Sequence, residues 1–112
     1  MQPPLAQMAI EWHGKTCLVS LSGEIDRSNA AQLNESISRT TADAECAVID
    51  VGRLEYLDSA ALTMVHQLGE VTTRKLILVA PQGSRARRLL EIAGMDTILT
   101  IEATAEDALA LR

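Results

Sequence analysis

Aromatic side chains are almost missing from this chain of 112 residues: Trp12 and Tyr56 stand alone, and there is no phenylalanine. The core must therefore be assembled from Leu, Ile, Val, Met and Ala, and base-stacking recognition of single-stranded nucleic acid, which needs aromatic or arginine platforms, is excluded. Basic runs are equally scarce. With 10 Lys and Arg against 15 Asp and Glu, the formal net charge is −5 and the isoelectric point is near 4.9. That balance disfavours nonspecific binding to nucleic acid or to an anionic membrane. No apolar run approaches the roughly 18–20 residues of a membrane helix. Residues 1–10 contain Gln2, Pro3, Pro4 and Gln7 and no basic leader, so they do not read as a signal peptide. The cytoplasm is the expected compartment, without direct membrane insertion. Cysteine is limited to Cys17 and Cys46, each in an apolar run without CxxC spacing, and histidine to His13 and His66. This makes no zinc pattern, and neither a metal nor any other cofactor is expected. Two small buried thiols are the simpler reading of the cysteines, with redox pairing left open.

What the chain does have is ordinary globular composition, 47% hydrophobic and 22% charged. One domain of this length buries roughly two thirds of the surface its unfolded form exposes. Residues 1–7 read as a flexible arm, and residues 8–112 as a single domain. A first strand over 8–13 meets a Gly14-Lys15 turn and a second strand over 16–22, in which Cys17, Val19 and Leu21 alternate with Leu18, Ser20 and Ser22. Residues 23–26 read as a loop. Ser28 or Asn29 can cap a helix over 30–40 with Ala30, Leu33 and Ile37 inward, and Asn29 with Gln32 approximates a capping box. The near-continuous apolar run 46–51 has the mark of a strand covered on both faces. A helix over 59–73 follows, with Ala61, Leu62, Val65, Leu68 and Thr72 at helical spacing. Then come a strand over 76–80, a helix from the Ser84 cap to Ala93 with Gly94 as its stop, a short strand over 97–101, and a last helix capped by Thr104 with Asp107. The order β-β-α-β-α-β-α-β-α predicts an α/β fold, a mixed sheet of about five strands with about four helices.

Asp58-Ser59 is the most informative pair for chemistry. It lies where a strand and its loop hand over to a helix, so Asp58 is a good N-cap and Ser59 takes the first helical position. A hydroxyl there is exposed at the positive end of the helix dipole and tolerates a phosphate. Asp-Ser is also simply a common helix start. A nucleophilic serine is disfavoured: there is no GxSxG elbow, and His66 sits two turns away on the same helix. Glu24, Asp26 and Asp58 occupy two loops that gather at one end of the sheet if their strands are neighbours. There they serve as solvated loop acids, as an acid–base or Mg²⁺ pair, or as the charged rim of a protein-binding site. Arg85, Arg87 and Arg88 read as a solvated basic face, and Asp50, inside an apolar strand, as a structural hydrogen-bonding group.

Four stretches resemble the STAS domain of bacterial anti-sigma factor antagonists. Leu21-Ser-Gly-Glu-Ile-Asp26 is similar to the family's G-E-[LI]-D loop, and Ala47-Val-Ile-Asp-Val51 to its central strand. Tyr56-Leu-Asp-Ser-Ala-Ala-Leu62 resembles its D-S-[ST]-G-L phosphorylation motif, and Arg88-Leu-Leu-Glu-Ile-Ala-Gly-Met95 its helix with a closing glycine turn. The resemblance implies a regulatory protein and not an enzyme. The unphosphorylated form would bind an anti-sigma factor that is also a serine kinase and so free the sigma factor. Phosphorylation would end binding, and a serine phosphatase would reset the cycle. Carried onto this chain, the acceptor is Ser59, and the partner-facing set is Gly23, Glu24, Ile25, Asp26, Asp58, Ser59, Ala60, Ala61 and Leu62. Ala60-Ala61 stand where the family has Ser/Thr-Gly. Ser59 is then the only acceptor in the motif, and the Ala61 methyl is expected to alter a partner's close approach. A different role for such a chain is as a subunit of a larger complex, such as a lipid-transport ABC system, docking on an ATPase without phospho-switching. A ligand-binding role finds no glycine-rich phosphate loop to support it.

Overall fold

The computed structural model describes residues 5–112. In chain order the elements are β1 (Ala6–His13), β2 (Thr16–Ile25), α1 (Ala30–Thr40), β3 (Cys46–Leu57), α2 (Ser59–Gly69), β4 (Lys75–Val79), α3 (Arg85–Ile92), a 3₁₀ turn (Met95–Thr97), β5 (Thr100–Glu102) and α4 (Ala105–Leu111). The sheet runs β1-β2-β3-β4-β5. β1 is antiparallel to β2 through the Gly14-Lys15 hairpin, and every later neighbour is parallel. The expected mixed α/β architecture and its element order are those observed.

Strand pleat sorts the core. Cys17, Val19, Leu21, Ala47, Ile49, Val51, Leu78 and Ala80 join one buried cluster with Ala30 and Ile37 of α1, Ala61, Met64, Val65 and Leu68 of α2, and Ala86 and Leu90 of α3. The alternate residues Leu18, Cys46, Val48, Ile77 and Val79 join a smaller cluster with Ala108 of α4. Successive side chains of a strand point to opposite faces, so α1, α2 and α3 cover one face and α4 covers part of the other. Uniform progression across the sheet, each crossover with the same hand, places the first three helices on one side. Cys17 and Cys46, both free and buried, therefore lie on opposite faces of the sheet and cannot pair with each other. Burial raises the pKa of both thiols, as expected where a thiolate would be poorly solvated.

Several boundaries move from where sequence pattern put them, each for a physical reason. β1 begins at Ala6, two residues early, because Ala6 pairs with Gly23 and Gln7 with Ser22; of the expected arm, residues 1–4 lie outside the described residues. Residues 23–25 are strand and not loop. β2 continues beside β3 to the pair Ile25–Leu57, with two register shifts that let β3 carry two extra residues. Such bulges bend and twist a strand locally and are common beside functional sites. At the first shift the Asp50 carboxylate accepts a hydrogen bond from the Gly52 amide at 2.9 Å, the structural role expected of it. A Cβ at Gly52 would press on the ring of Pro81.

α2 ends at Gly69 and not at residue 73. The guanidinium of Arg74 donates to the Leu68 carbonyl and to the Thr41 hydroxyl, both at 3.2 Å, taking up a carbonyl at the end of α2 and the C-cap side chain of α1. Two helix C-termini, the negative ends of their dipoles, thus converge on one buried cation, and burial lowers its pKa. The last strand is 100–102 and not 97–101, because Gly94 adopts a left-handed φ of 74° and the chain then makes a further helical turn. Ser84 and Thr104 cap α3 and α4 as expected, accepting from the Arg87 and Asp107 amides. Arg87 is not part of a solvated face. It donates to the Ala80 carbonyl at 2.8 Å and lies beside Glu91 at 3.4 Å, clamping α3 to the end of β4.

Candidate functional site

β2 and β3 are parallel neighbours, so the two segments that leave their C-terminal ends emerge side by side. Glu24, Asp26 and Asp58 come to one end of the sheet. The first segment is held by side chains. The Asp26 carboxylate accepts from the Ser28 amide at 2.8 Å and from the Ser28 hydroxyl at 2.5 Å. These bonds hold its carboxyl below the usual carboxylate range, the Ser28 hydroxyl first and its amide second. Asn29 does not cap α1 with its side chain, and the expected box with Gln32 is absent. Its carboxamide instead cross-links the loop, accepting from the Asp26 amide and donating to the Glu24 carbonyl, both at 2.9 Å. Ahead of it, the Glu24 amide donates to the Leu5 carbonyl at 2.9 Å. Gly23, at φ 92°, has no room for a Cβ against that carbonyl.

In the second segment Asp58 is the N-cap of α2. Its Oδ1 accepts from the Ala60 amide at 2.9 Å, and its carbonyl accepts from the Ala61 and Leu62 amides at 3.0 and 3.2 Å. Ser59 follows as the first helical residue and is exposed. It stands at one end of a groove of about 430 Å³ between α1 and α2, lined by Ser59, Thr63 and Gln67 of α2 and by Arg27, Ala30 and Ala31. Gln67 Oε1 also accepts from the Asn34 amide of α1 at 2.9 Å, which ties the two helices together. Sequence reasoning missed Arg27, Thr63 and Gln67; the polar repeat Ser59, Thr63, Gln67 at a spacing of four was the signal that would have found them.

The nine expected partner-facing residues divide. Glu24 and Ser59 are exposed, and Gly23, Asp26, Asp58, Ala60 and Leu62 are half-buried along the same end. Ile25 and Ala61 are core residues, 0% and 1% exposed. They set the backbone of the site from below, and the Ala61 methyl points into the core and away from any approaching surface. His66 pairs with Glu70 at 3.4 Å, and no histidine lines the groove beside Ser59. Among the described residues none of Glu24, Asp26, Arg27 and Asp58 forms an ion pair. No three His, Cys, Asp or Glu side chains among them gather as a metal site, and no helix among the described residues is long and apolar enough to cross a membrane.

Residues 8–101 match the family model described as "Mlab, STAS domain". The anti-sigma-F factor antagonist RsfB of Mycobacterium tuberculosis is 31% identical over 109 residues, 96% of this chain and 89% of that protein. The crystal structure of an anti-sigma factor antagonist from Mycobacterium paratuberculosis superposes with a TM-score of 0.85 at 29% identity, covering 95% of this chain and 92% of that one. The anti-sigma factor antagonist SpoIIAA in its unphosphorylated form shares the fold, with a TM-score of 0.67 at 23% identity over 92% and 93% of the two chains.

Proposed function

The chain belongs to the STAS-domain, anti-sigma factor antagonist family, and from that premise we propose that it binds an anti-sigma factor with serine kinase activity through the end of the sheet where β2 and β3 finish. Binding would free a sigma factor in the cytoplasm, and phosphorylation of Ser59 would end it until a serine phosphatase restores the hydroxyl. The observation that carries this reading is the placement of Ser59: an exposed hydroxyl at the first position of a capped helix, beside Asp58 and next to the segment bearing Glu24 and Asp26. A phosphate there adds about −1.5 to −2 charges at neutral pH. The helix N-terminus tolerates that charge within the free domain, so the domain need not unfold. In a complex the same charge is added beside the Asp58 carboxylate and must be desolvated, which opposes docking. A few kcal/mol of differential affinity suffice to move a mostly bound population to a mostly free one. The switch is local and electrostatic.

The test is mass mapping of the protein from its own cells before and after phosphatase treatment, joined to binding by variants. One phosphoryl group on Ser59 is expected. Ser59→Ala is expected to bind its kinase and resist release by ATP, and Ser59→Asp to bind weakly with stability changed by no more than about 1 kcal/mol, as for an exposed position. A phosphate mapped to another residue, or none under any growth condition, refutes the switch; the latter result directs attention to a constitutive subunit docked on an ATPase.

A further inference from the structure

A second open groove lies on the opposite flank of the β3-to-α2 hand-over, and nothing in the switch at Ser59 uses it. It encloses about 300 Å³ between the end of β3, at Glu55, Tyr56 and Leu57, and the face of α3 that carries Arg85, Arg88, Leu89 and Ile92. Two of its apolar side chains are conspicuously wet: Tyr56 is 48% exposed and Ile92 76%. Ile92 lies one turn of helix from Arg88, so apolar and cationic side chains share this wall of the groove.

The charge of the groove runs against that of the chain. The protein carries a net −5, yet here two arginines face one glutamate. Among the described residues neither Arg85 nor Arg88 forms an ion pair, whereas Arg87, between them, is tied to Ala80 and Glu91. The spacing Arg85, Arg88, Leu89, Ile92 puts both guanidinia and both apolar side chains along one stripe of α3, with Tyr56 on the facing wall.

We propose that this groove is a docking site for a protein partner's acidic segment with an apolar anchor, the anchor seated against Tyr56, Leu89 and Ile92 and its flanking carboxylates paired with Arg85 and Arg88. The occupant is chosen by complementarity. Bare acid would leave the apolar wall in water, and a bare apolar segment would leave two cations unmet. Exposed ion pairs are individually weak, so the anchor supplies most of the affinity and the arginines supply selection and orientation. The proposal does not depend on phosphorylation of Ser59.

The probe is the capped five-residue peptide Glu-Asp-Leu-Leu-Glu titrated into nitrogen-15-labelled full-length protein, followed by amide shifts. Two comparison peptides replace its acids by glutamine or its leucines by serine, and ATP serves as a non-peptide anion. Saturable shifts confined to Tyr56, Leu57, Arg88, Leu89 and Ile92 are expected, weakened severalfold with either comparison peptide and by added salt. The double variant Arg85→Ser with Arg88→Ser is expected to weaken binding about tenfold, and Ile92→Ser comparably. All three positions are exposed or at the groove rim, and unchanged spectra elsewhere report an intact fold. Absence of saturable shifts at these amides, equal binding of the glutamine peptide, or stronger binding of ATP overturns the proposal.

Discussion

Replacing Asp58 by alanine and by asparagine separates two jobs that one carboxylate performs. Its Oδ1 accepts the Ala60 amide at 2.9 Å, satisfying one of the first-turn donors that an α-helix leaves unpaired. Alanine removes that acceptor, at a typical cost of about 1 kcal/mol within a range of roughly 0.5–2. It also removes a negative charge from the positive end of the α2 dipole, a further contribution of about 0.3–1 kcal/mol. Asparagine keeps an acceptor oxygen in nearly the same place and loses only the charge. Unfolding entropy near 2.1 cal/mol/K per residue makes 1 kcal/mol worth about 4 °C for a chain of this length. The expectation is therefore a fall in Tm of about 4–8 °C for Asp58→Ala and of no more than about 4 °C for Asp58→Asn, read by calorimetry at neutral pH. Hydrogen exchange gives the local readout: the Ala60 amide should lose protection in the alanine variant and keep it in the asparagine variant. Equal destabilisation by both substitutions would refute the assignment of the acceptor as the stabilising element. No effect of either would show that the start of α2 does not depend on this cap. The asparagine variant also bears on the proposed switch. With one negative charge removed from beside Ser59, phosphorylation should weaken partner binding by a smaller factor than in the unaltered chain.

Arg74→Met strips the Leu68 carbonyl and the Thr41 hydroxyl of their donor while keeping most of the side-chain volume, and is expected to cost about 2 kcal/mol, seen as a lower urea midpoint with an unchanged slope; an unchanged midpoint would refute the pairing of both helix ends by one cation. For Asp26 the sign follows from its lowered pKa: the ionised form is favoured by folding, so its contribution is present above the usual carboxylate range and is lost as pH falls through the depressed folded value. The Tm gap between the unaltered chain and Asp26→Asn should accordingly be largest near neutrality and close on acidification, and a gap that widens toward acid pH would overturn the assignment.

Much of this architecture was readable in residue pattern because pattern and physics coincide there. Alternation in 16–22 and the apolar runs at 46–51 and 76–80 report pleat and two-sided burial directly, and Ser84, Gly94, Thr104 and Asp58 mark helix ends by chemistry that is local to a few residues. The same locality made Asp58-Ser59 legible as an exposed hydroxyl on a capped helix. Where sequence reading went astray, a distant partner was deciding. Gly23 and Glu24 look like a turn, yet they stay in the sheet because β1 and β3 flank them. Asn29 is a good cap by propensity, but its carboxamide is drawn across the loop to the Glu24 carbonyl and the Asp26 amide. Thr72 continues the helical spacing of α2, but the helix stops short of it where Arg74 takes the Leu68 carbonyl.

By itself, then, the order of residues determined the element sequence, the two-faced core and the identity of the serine at the head of α2, since each rests on periodicity or on contacts a few positions apart. Only the tertiary structure decided that β2 and β3 lie parallel and adjacent, which brings Glu24, Asp26 and Asp58 to one end. It also decided that Cys17 and Cys46 face opposite sides of the sheet, that Arg27 shares a groove with Ser59, and that Tyr56 meets Arg88 and Ile92 across another. Those juxtapositions join residues tens of positions apart, and their energies come from strand pairing and burial that no local window of sequence contains.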